Sequence, residues 1–266
     1  MPADFAAIRR RLASAKEDLD ELRAEVEAFM APQPWRLERQ DTHLSESLVC
    51  FVDQEPDPEW GDRIGYIAYK VRSALDQLVT QLIVDGGKEP TGKTQFPIFA
   101  ESAGYLTKRQ DGRSQRDVML RGVPSRHRAV IDAAQPYQRG PQAQRDPLFI
   151  LNSISNRDKH NDTHAVWGAV AGTRHRIIRP DGVTWTVSIS KGDDPLPLID
   201  GEVLLGVESQ LGTELTQKMR MEVDEIQIGL AFEGKATVTL DHIEHALIHV
   251  AGIVDRFETR IRNRHP

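Results

Sequence analysis

A run of five polar residues, "NRDKH" from Asn156 to His160, follows an apolar segment and carries the side chains best suited to chemistry. An imidazole can act as a general acid or base near neutral pH, and guanidinium and ammonium groups stabilise charge that develops on a phosphate. His164 follows His160 by four residues, a spacing that places both imidazoles on one face of a helix. The stretch is therefore a candidate for acid–base chemistry, although Lys159 and His160 also favour a helix C-terminus on electrostatic grounds alone.

A second candidate lies in "YKVRSALDQLVTQL", where Arg72 and Asp76 are four residues apart beside an apolar stripe. One interpretation is an intrahelical ion pair worth a few tenths of a kcal/mol. The other is that both side chains reach the polar cluster at 156–160, and we predict this contact. The candidate catalytic residues are Arg72, Asp76, Asn156, Arg157, Asp158, Lys159, His160 and His164.

The most basic part of the chain lies between residues 108 and 128. Its cations are Lys108, Arg109, Arg113, Arg116, Arg121, Arg126 and Arg128, with only Asp111 and Asp117 interspersed in the first part of the segment. Because nucleic acids bind through contacts between cations and phosphates, this segment is the predicted nucleic-acid-binding surface.

Histidine spacing raises the question of a metal site in "DHIEHALIHV", which contains His242, His245 and His249. Three imidazoles on one helix could ligate a transition metal. Residues seven apart are about 10 Å apart along a helix axis, however, and no carboxylate completes the ligand set. We predict no metal site here, and none at His160 with His164.

A literal phosphate-loop spacing occurs from Gly87 to Thr94, but it follows a predicted helix instead of a strand. Pro97 lies where the loop would have to open a helix, so the helix-terminal amides that cradle phosphate are not expected. We therefore reject a phosphate loop.

Hydrophobic periodicity predicts helices separated by two strand-rich segments. The expected helices cover residues 1–30, 60–84, 125–134, 147–156 and 240–262. The expected strands are two around a polar turn near 42–47, followed by 174–179, 183–190, 203–209 and 219–232. In the second of these later strands, Val183, Trp185, Val187 and Ile189 alternate with polar residues and should share a buried face.

This order predicts an α+β fold, with a helical bundle body, an N-terminal β-hairpin and an antiparallel sheet inserted before the last helix. We expect a single domain over 1–266. Residues 1–165 would form its mainly helical part, 166–238 the antiparallel sheet and 239–266 the C-terminal helix.

The composition of the chain limits which classes of function are compatible with it. The 266 residues are 39% hydrophobic and 28% charged, which is typical of a globular protein with a substantial core. Cys50 is the only cysteine, so an internal disulfide and a cysteine-based zinc site are excluded. The net charge of -6 disfavours broad attraction to nucleic acid or anionic membranes. Without a membrane-spanning run or a signal peptide, the expected location is the cytoplasm.

Four motifs occur in order: "WGDRIGYIAYKVRSALDQLVTQL", "FPIF", "QPY" and "PLFILNSISNRDKH". Together they resemble a widespread family of uncharacterised bacterial proteins with a GD…R-x-ALD-x-L helix, an FPI loop, a QPY turn and an N-x-DKH segment. The resemblance covers about residues 1–165 and implies that helix two meets the 156–160 segment inside the helical body. The matching positions are Asp62, Arg72, Asp76, Asn156, Asp158, Lys159 and His160. Asn161 departs from the family's arginine, so no role of that arginine is carried over.

A more distant similarity is to the HEPN superfamily, in which an arginine, a polar residue and a later histidine mark many metal-independent endoribonucleases. Arg157, Asp158 and His164 fit that motif with six intervening residues. The motif opens the last helix of HEPN domains, whereas here it ends a helix ahead of a sheet.

Two functions follow as hypotheses. The first is a non-catalytic binding or interaction protein, in which the polar cluster fixes helix packing. The alternative is a HEPN-like endoribonuclease or other RNA-directed enzyme that uses Arg157, Asp158, Lys159 and His160. Metal-dependent chemistry ranks below both. We expect no cofactor, no membrane association and a partner that is RNA or protein, with a homodimer as a further expectation.

Overall fold

The fold comes from a computed structural model of the chain. The described residues are 4–41, 45–157, 165–178, 184–189, 196–197, 200–208, 220–232 and 238–262. They belong to two compact units. The helical unit comprises the described residues within 1–22, 61–163 and 240–266, and the strand-rich unit those within 23–60 and 164–239.

Helices form the body of the protein, as predicted. They are α1 Ala6–Met30, α2 Glu59–Asp85, α3 Ser102–Leu106, α4 Gln115–Met119, α5 Ser125–Ala133, α6 Pro147–Arg157 and α7 Leu240–Arg262, with a 3-10 helix at Pro136–Arg145 between α5 and α6. The short helices α3 and α4 were not predicted, because five residues are too few to show a helical period. The "QPY" segment, predicted as a turn, opens the 3-10 helix instead.

The long helices α1, α2 and α7 are amphipathic, and their apolar stripes are buried. On α2 the stripe includes Ile64, Ile67, Val71, Leu75, Leu78 and Leu82, and on α7 it includes Ile243, Leu247, Val250, Val254 and Phe257. Burying one such side chain stabilises the fold by roughly 1.5–3 kcal/mol. The core of the helical unit therefore follows the 3.6-residue period of the sequence.

The C-terminus of α2 is fixed by glycine, as the sequence predicts. Gly87 has a φ of 68°, a conformation that costs little only for a residue without Cβ. Its N–H donates to the carbonyl of Val84 at 2.9 Å, and the Lys88 N–H donates to that of Ile83 at 3.1 Å. These two bonds define a Schellman motif that ends the helix and begins the loop toward Phe96.

The N-terminus of α6 is set by Asp146 and Pro147, also as predicted. The Asp146 Oδ1 atom accepts a hydrogen bond from the Leu148 N–H at 2.8 Å. Asp146 also pairs with Arg139 Nε at 2.6 Å. An aspartate cap satisfies an amide that has no partner within the helix. From this start, α6 leads to Asn156 and ends at Arg157.

The strand-rich unit contains two antiparallel sheets. The hairpin β1 Trp35–Asp41 and β2 Ser45–Val52 pairs with β6 Glu202–Glu208 in the order β1-β2-β6. In the other sheet, β3 Ala165–Ile178 pairs with β4 Thr184–Ile189, β5 Leu196–Pro197 and β7 Arg220–Phe232. The predicted hairpin and antiparallel sheet are thus both present.

Two details of these sheets differ from the expectation. The strand expected at 203–209 joins the hairpin, because a strand pattern identifies a strand and leaves its partner open. β3 also begins earlier than expected, at Ala165. The predicted burial of Val183, Trp185, Val187 and Ile189 concerns side chains outside those described. Within the described part of the chain, no helix has the length and apolar character needed to cross a membrane.

Candidate functional site

Arg72 and Asp76 bind the backbone of the FPI loop. Arg72, which is 8% exposed, donates from Nη2 to the carbonyl oxygen of Phe96 at 2.7 Å. Its Nη1 atom pairs with Asp76 Oδ1, and the same Oδ1 accepts a hydrogen bond from the Phe96 N–H at 2.8 Å. The two side chains therefore satisfy both backbone polar groups of one loop residue. We call this arrangement the Arg72–Asp76 clamp.

The clamp has a clear energetic role. Phe96 is fully buried, so its backbone N–H and C=O groups are shielded from water as well. Buried backbone groups need partners, and each unpaired one costs about 1–3 kcal/mol. No helix or strand ladder supplies those partners at Phe96, so α2 supplies them from two charged side chains four residues apart. Asp76 keeps a side-chain exposure of 37%, which places the clamp at the edge of the core.

The QPY segment anchors the other end of the FPI loop. Gln135 is 1% exposed and donates from Nε2 to the carbonyl of Pro97 at 2.8 Å and to that of Ile131 at 3.1 Å. The Tyr137 N–H donates to the carbonyl of Phe99 at 3.0 Å. Three of the four motifs in the family resemblance therefore meet at one loop.

A tyrosine–carboxylate–arginine group lies against this loop. The Tyr105 hydroxyl donates to Asp132 Oδ1 at 2.7 Å, and Arg116 binds the same carboxylate through Nε and Nη2 at 2.6–3.0 Å. The Tyr105 ring lies 5.2 Å from that of Phe99 and 6.0 Å from that of Tyr137. Burial, followed by the hydrogen bond to Asp132, raises the pKa of Tyr105 well above its usual range. The phenol is therefore a neutral hydrogen-bond donor at physiological pH.

The "NRDKH" segment is described only in part. Asn156 is exposed in the last turn of α6 and Arg157 ends that helix, whereas Asp158, Lys159, His160 and His164 lie outside the described residues. Among described residues, the side-chain hydrogen bonds of Arg72 and Asp76 go to each other and to Phe96, and none goes to Asn156. The predicted contact with 158–160 stays a prediction.

Several cations of the basic segment have partners within the chain. The pairs are Arg113 with Asp111 at 2.9 Å, Arg116 with Asp132 at 2.6 Å, Arg126 with Asp85 at 3.2 Å, and Arg128 Nε with the Val123 carbonyl at 2.8 Å. A guanidinium already bound to a carboxylate contributes less to phosphate binding than a free one. Lys108, Arg109 and Arg121 are exposed, so the predicted RNA contact depends mainly on these three.

The histidines of α7 occupy different environments. His245 is exposed, and His242 and His249 are half-buried. Burial lowers the pKa of His249, an effect that the nearby Asp146 carboxylate opposes. Among the described residues, no group of three or more histidine, cysteine, aspartate or glutamate side chains is placed to hold a metal ion. His160 and His164 are not covered by that statement.

A cavity of about 350 Å³ opens between α1 and α2 within the helical unit. We call it the α1–α2 cavity. Its lining residues are Asp18, Glu21, Asp62, Arg63, Tyr66 and Ile67. The lining carries three carboxylates and one guanidinium around an aromatic wall. Sequence reasoning marked Asp62 through the family resemblance but missed the cavity, which depends on two helices that are distant in sequence.

Polar contacts join α1 and α2 beside this cavity. Lys70 Nζ donates to Ser14 at 2.9 Å and pairs with Asp18. The same ammonium lies 4.6 Å from the centre of the Tyr66 ring. One turn further along the interface, Arg11 donates to Ser73. The cavity wall is therefore held in place by contacts between the two helices.

Comparison with protein-family models, with curated proteins and with solved structures finds no match. The function must therefore be argued from the geometry of this chain.

Proposed function

We propose that this protein is a non-catalytic binding protein and that Arg72 and Asp76 are structural residues of its scaffold. The observation that carries the proposal is the Arg72–Asp76 clamp. The Arg72 guanidinium is buried and directed at a carboxylate and a backbone carbonyl, and the carboxylate is directed at a backbone amide. Both charged side chains thus bind the backbone of the protein's own loop.

A catalytic pair would need access to a substrate in a cleft. Within the described part of the chain, Arg72 is only 8% exposed, and neither Arg72 nor Asp76 lines the α1–α2 cavity. The anchoring of Pro97 and Phe99 by the QPY segment also supports a structural role, because the loop is held from both sides. A rigid helical scaffold of this kind is suited to presenting a binding surface.

The competing hypothesis is a HEPN-like endoribonuclease, which rests on the spacing of Arg157 and His164 in the sequence. Incubation with total RNA, with and without a chelator, separates the two. We expect the wild-type protein to leave RNA at the level of the protein-free control. Chelator-resistant cleavage that is lost in either His160→Ala or His164→Ala, with folding retained, would contradict the proposal and favour the endoribonuclease.

A further inference from the structure

The α1–α2 cavity continues into an exposed aromatic stripe on α2. Asp62, Tyr66 and Tyr69 follow one another at spacings of four and three, which places them along one helix face. Tyr66 is 56% exposed and Tyr69 is 45% exposed, and both are among the large hydrophobic side chains that the described part of the chain leaves in solvent. Tyrosine is enriched in protein interfaces because it offers a rigid ring with a polar end. We call the cavity residues together with Tyr69 the α1–α2 docking surface.

The charge of this surface indicates what can bind to it. The cavity lining contains Asp18, Glu21 and Asp62 against Arg63. Asp18 is already paired with Lys70. Glu21 and Asp62 are exposed, and within the described part of the chain they make no ion pair or side-chain hydrogen bond. The surface thus presents two available carboxylates beside tyrosine rings. This arrangement attracts a cationic group and repels an anionic one.

The protein itself shows how a cation binds in this environment. Lys70 lies over the face of Tyr66 while its ammonium pairs with Asp18. Aromatic rings attract cations through their negative face, and the attraction adds to that of a nearby carboxylate. A second cation approaching Asp62 and Glu21 would likewise find carboxylates next to the Tyr66 ring in the lining of the cavity.

We propose that the α1–α2 docking surface binds a basic segment of a protein partner, with a lysine or arginine side chain entering the cavity. This proposal rests on the proposed binding function. About 350 Å³ is near the lower end of the range for small-ligand pockets, roughly 300–1,000 Å³, so it suits one or two side chains better than a folded element. Tyr69 extends the surface beyond the cavity, where a peptide backbone can contact it and a small free amine cannot.

The test uses the full chain and a short capped peptide of alternating arginine and glycine, labelled for fluorescence polarisation. A peptide with glutamine in place of arginine serves as the uncharged control. We expect the arginine peptide alone to bind, with affinity falling as salt is raised because the contacts are exposed. Asp62→Asn and Tyr66→Ala should each weaken binding by about fivefold to tenfold.

Two further variants separate this surface from general charge attraction and from small-amine binding. Glu89→Gln removes an exposed carboxylate from the loop that follows the C-terminus of α2, far along the helix from the cavity lining, and should leave binding unchanged. Tyr69→Ala should weaken binding of the peptide but leave that of n-butylamine, the small-amine probe, unaffected. Circular dichroism confirms that each variant is folded.

Four results would overturn the proposal. They are absence of peptide binding, equal binding of the arginine and glutamine peptides, an equal loss in Glu89→Gln and Asp62→Asn, and binding of n-butylamine with no dependence of peptide binding on Tyr69. None of these results concerns RNA cleavage, so failure of this docking proposal is distinguishable from failure of the proposed non-catalytic function.

Discussion

At the scale of residues, Arg72 and Asp76 carry side chains suited to catalysis, and both bind the backbone of the FPI loop. They form the intrahelical ion pair that their spacing predicts, and both also bind the backbone of Phe96, at least 20 residues away in sequence. A hydrogen bond to a charged group contributes about 1.5–3 kcal/mol. Removing one member also leaves the other charge without its partner, so single substitutions should cost more than the pair contributes.

A second prediction at this scale concerns Tyr105 and pH. Because the pKa of Tyr105 is higher in the folded protein than in the unfolded chain, its contribution to stability is fully present below about pH 10 and is lost as the pH rises above that value. Tyr105→Phe should cost about 1 kcal/mol at neutral pH through loss of the bond to Asp132. It should also reduce the loss of stability between about pH 8 and about pH 11.

Urea unfolding at the two pH values measures both effects of Tyr105→Phe. Tyr69→Phe is the matched control, because the Tyr69 side chain is substantially exposed. An alkaline loss of stability that is the same in wild type and Tyr105→Phe would show that the buried phenol is not its source.

At the scale of elements, the end of α2 determines where the FPI loop begins. Among the described residues, no atom beyond the chain neighbours of Gly87 lies within 4 Å of the position that its Cβ atom would take. A side chain at this position is therefore disfavoured by the backbone conformation and not by a steric contact. Gly87→Ala should therefore lower the free energy of unfolding by about 1–2 kcal/mol, the cost of a left-handed conformation for an L-residue.

Gly92→Ala is the control for that change. Gly92 also has open space around its Cβ position but lacks the positive φ, so alanine should be neutral or slightly stabilising there. Chemical denaturation of both variants measures the difference. Equal effects of the two substitutions on the free energy of unfolding would mean that the positive φ of Gly87 imposes no extra cost on alanine.

Elements were predictable from the sequence where the signal is local. Asp146 and Pro147 marked the start of α6, and the glycine pair after α2 marked its end. Two strand-like segments around a polar turn marked the hairpin. The partner of β6 was not predictable, because the pattern of a strand contains no information about which neighbour it pairs with.

At the scale of the whole molecule, the α+β architecture was predictable because composition and the order of periodic segments determine it. From the sequence, the candidate site was predictable only as a list of residues, without the contacts between them. The contacts of Arg72 with Phe96 and of Gln135 with Pro97 join residues 24 and 38 positions apart in sequence, and no rule of local spacing predicts them. The α1–α2 cavity was missed for the same reason, since it is lined by two helices whose contributing residues lie about 40 positions apart.

The central claim is that Arg72 and Asp76 hold the FPI loop, and amide hydrogen exchange at Phe96 tests it most directly. In the wild type the Phe96 N–H is bonded to Asp76 and should exchange slowly. In Asp76→Ala we expect protection at Phe96 to fall by about tenfold or more, while amides in the middle of α2 stay protected. The control, Glu17→Gln, should leave both unchanged. Undiminished protection at Phe96 in Asp76→Ala would contradict the clamp and with it the structural role proposed for the pair.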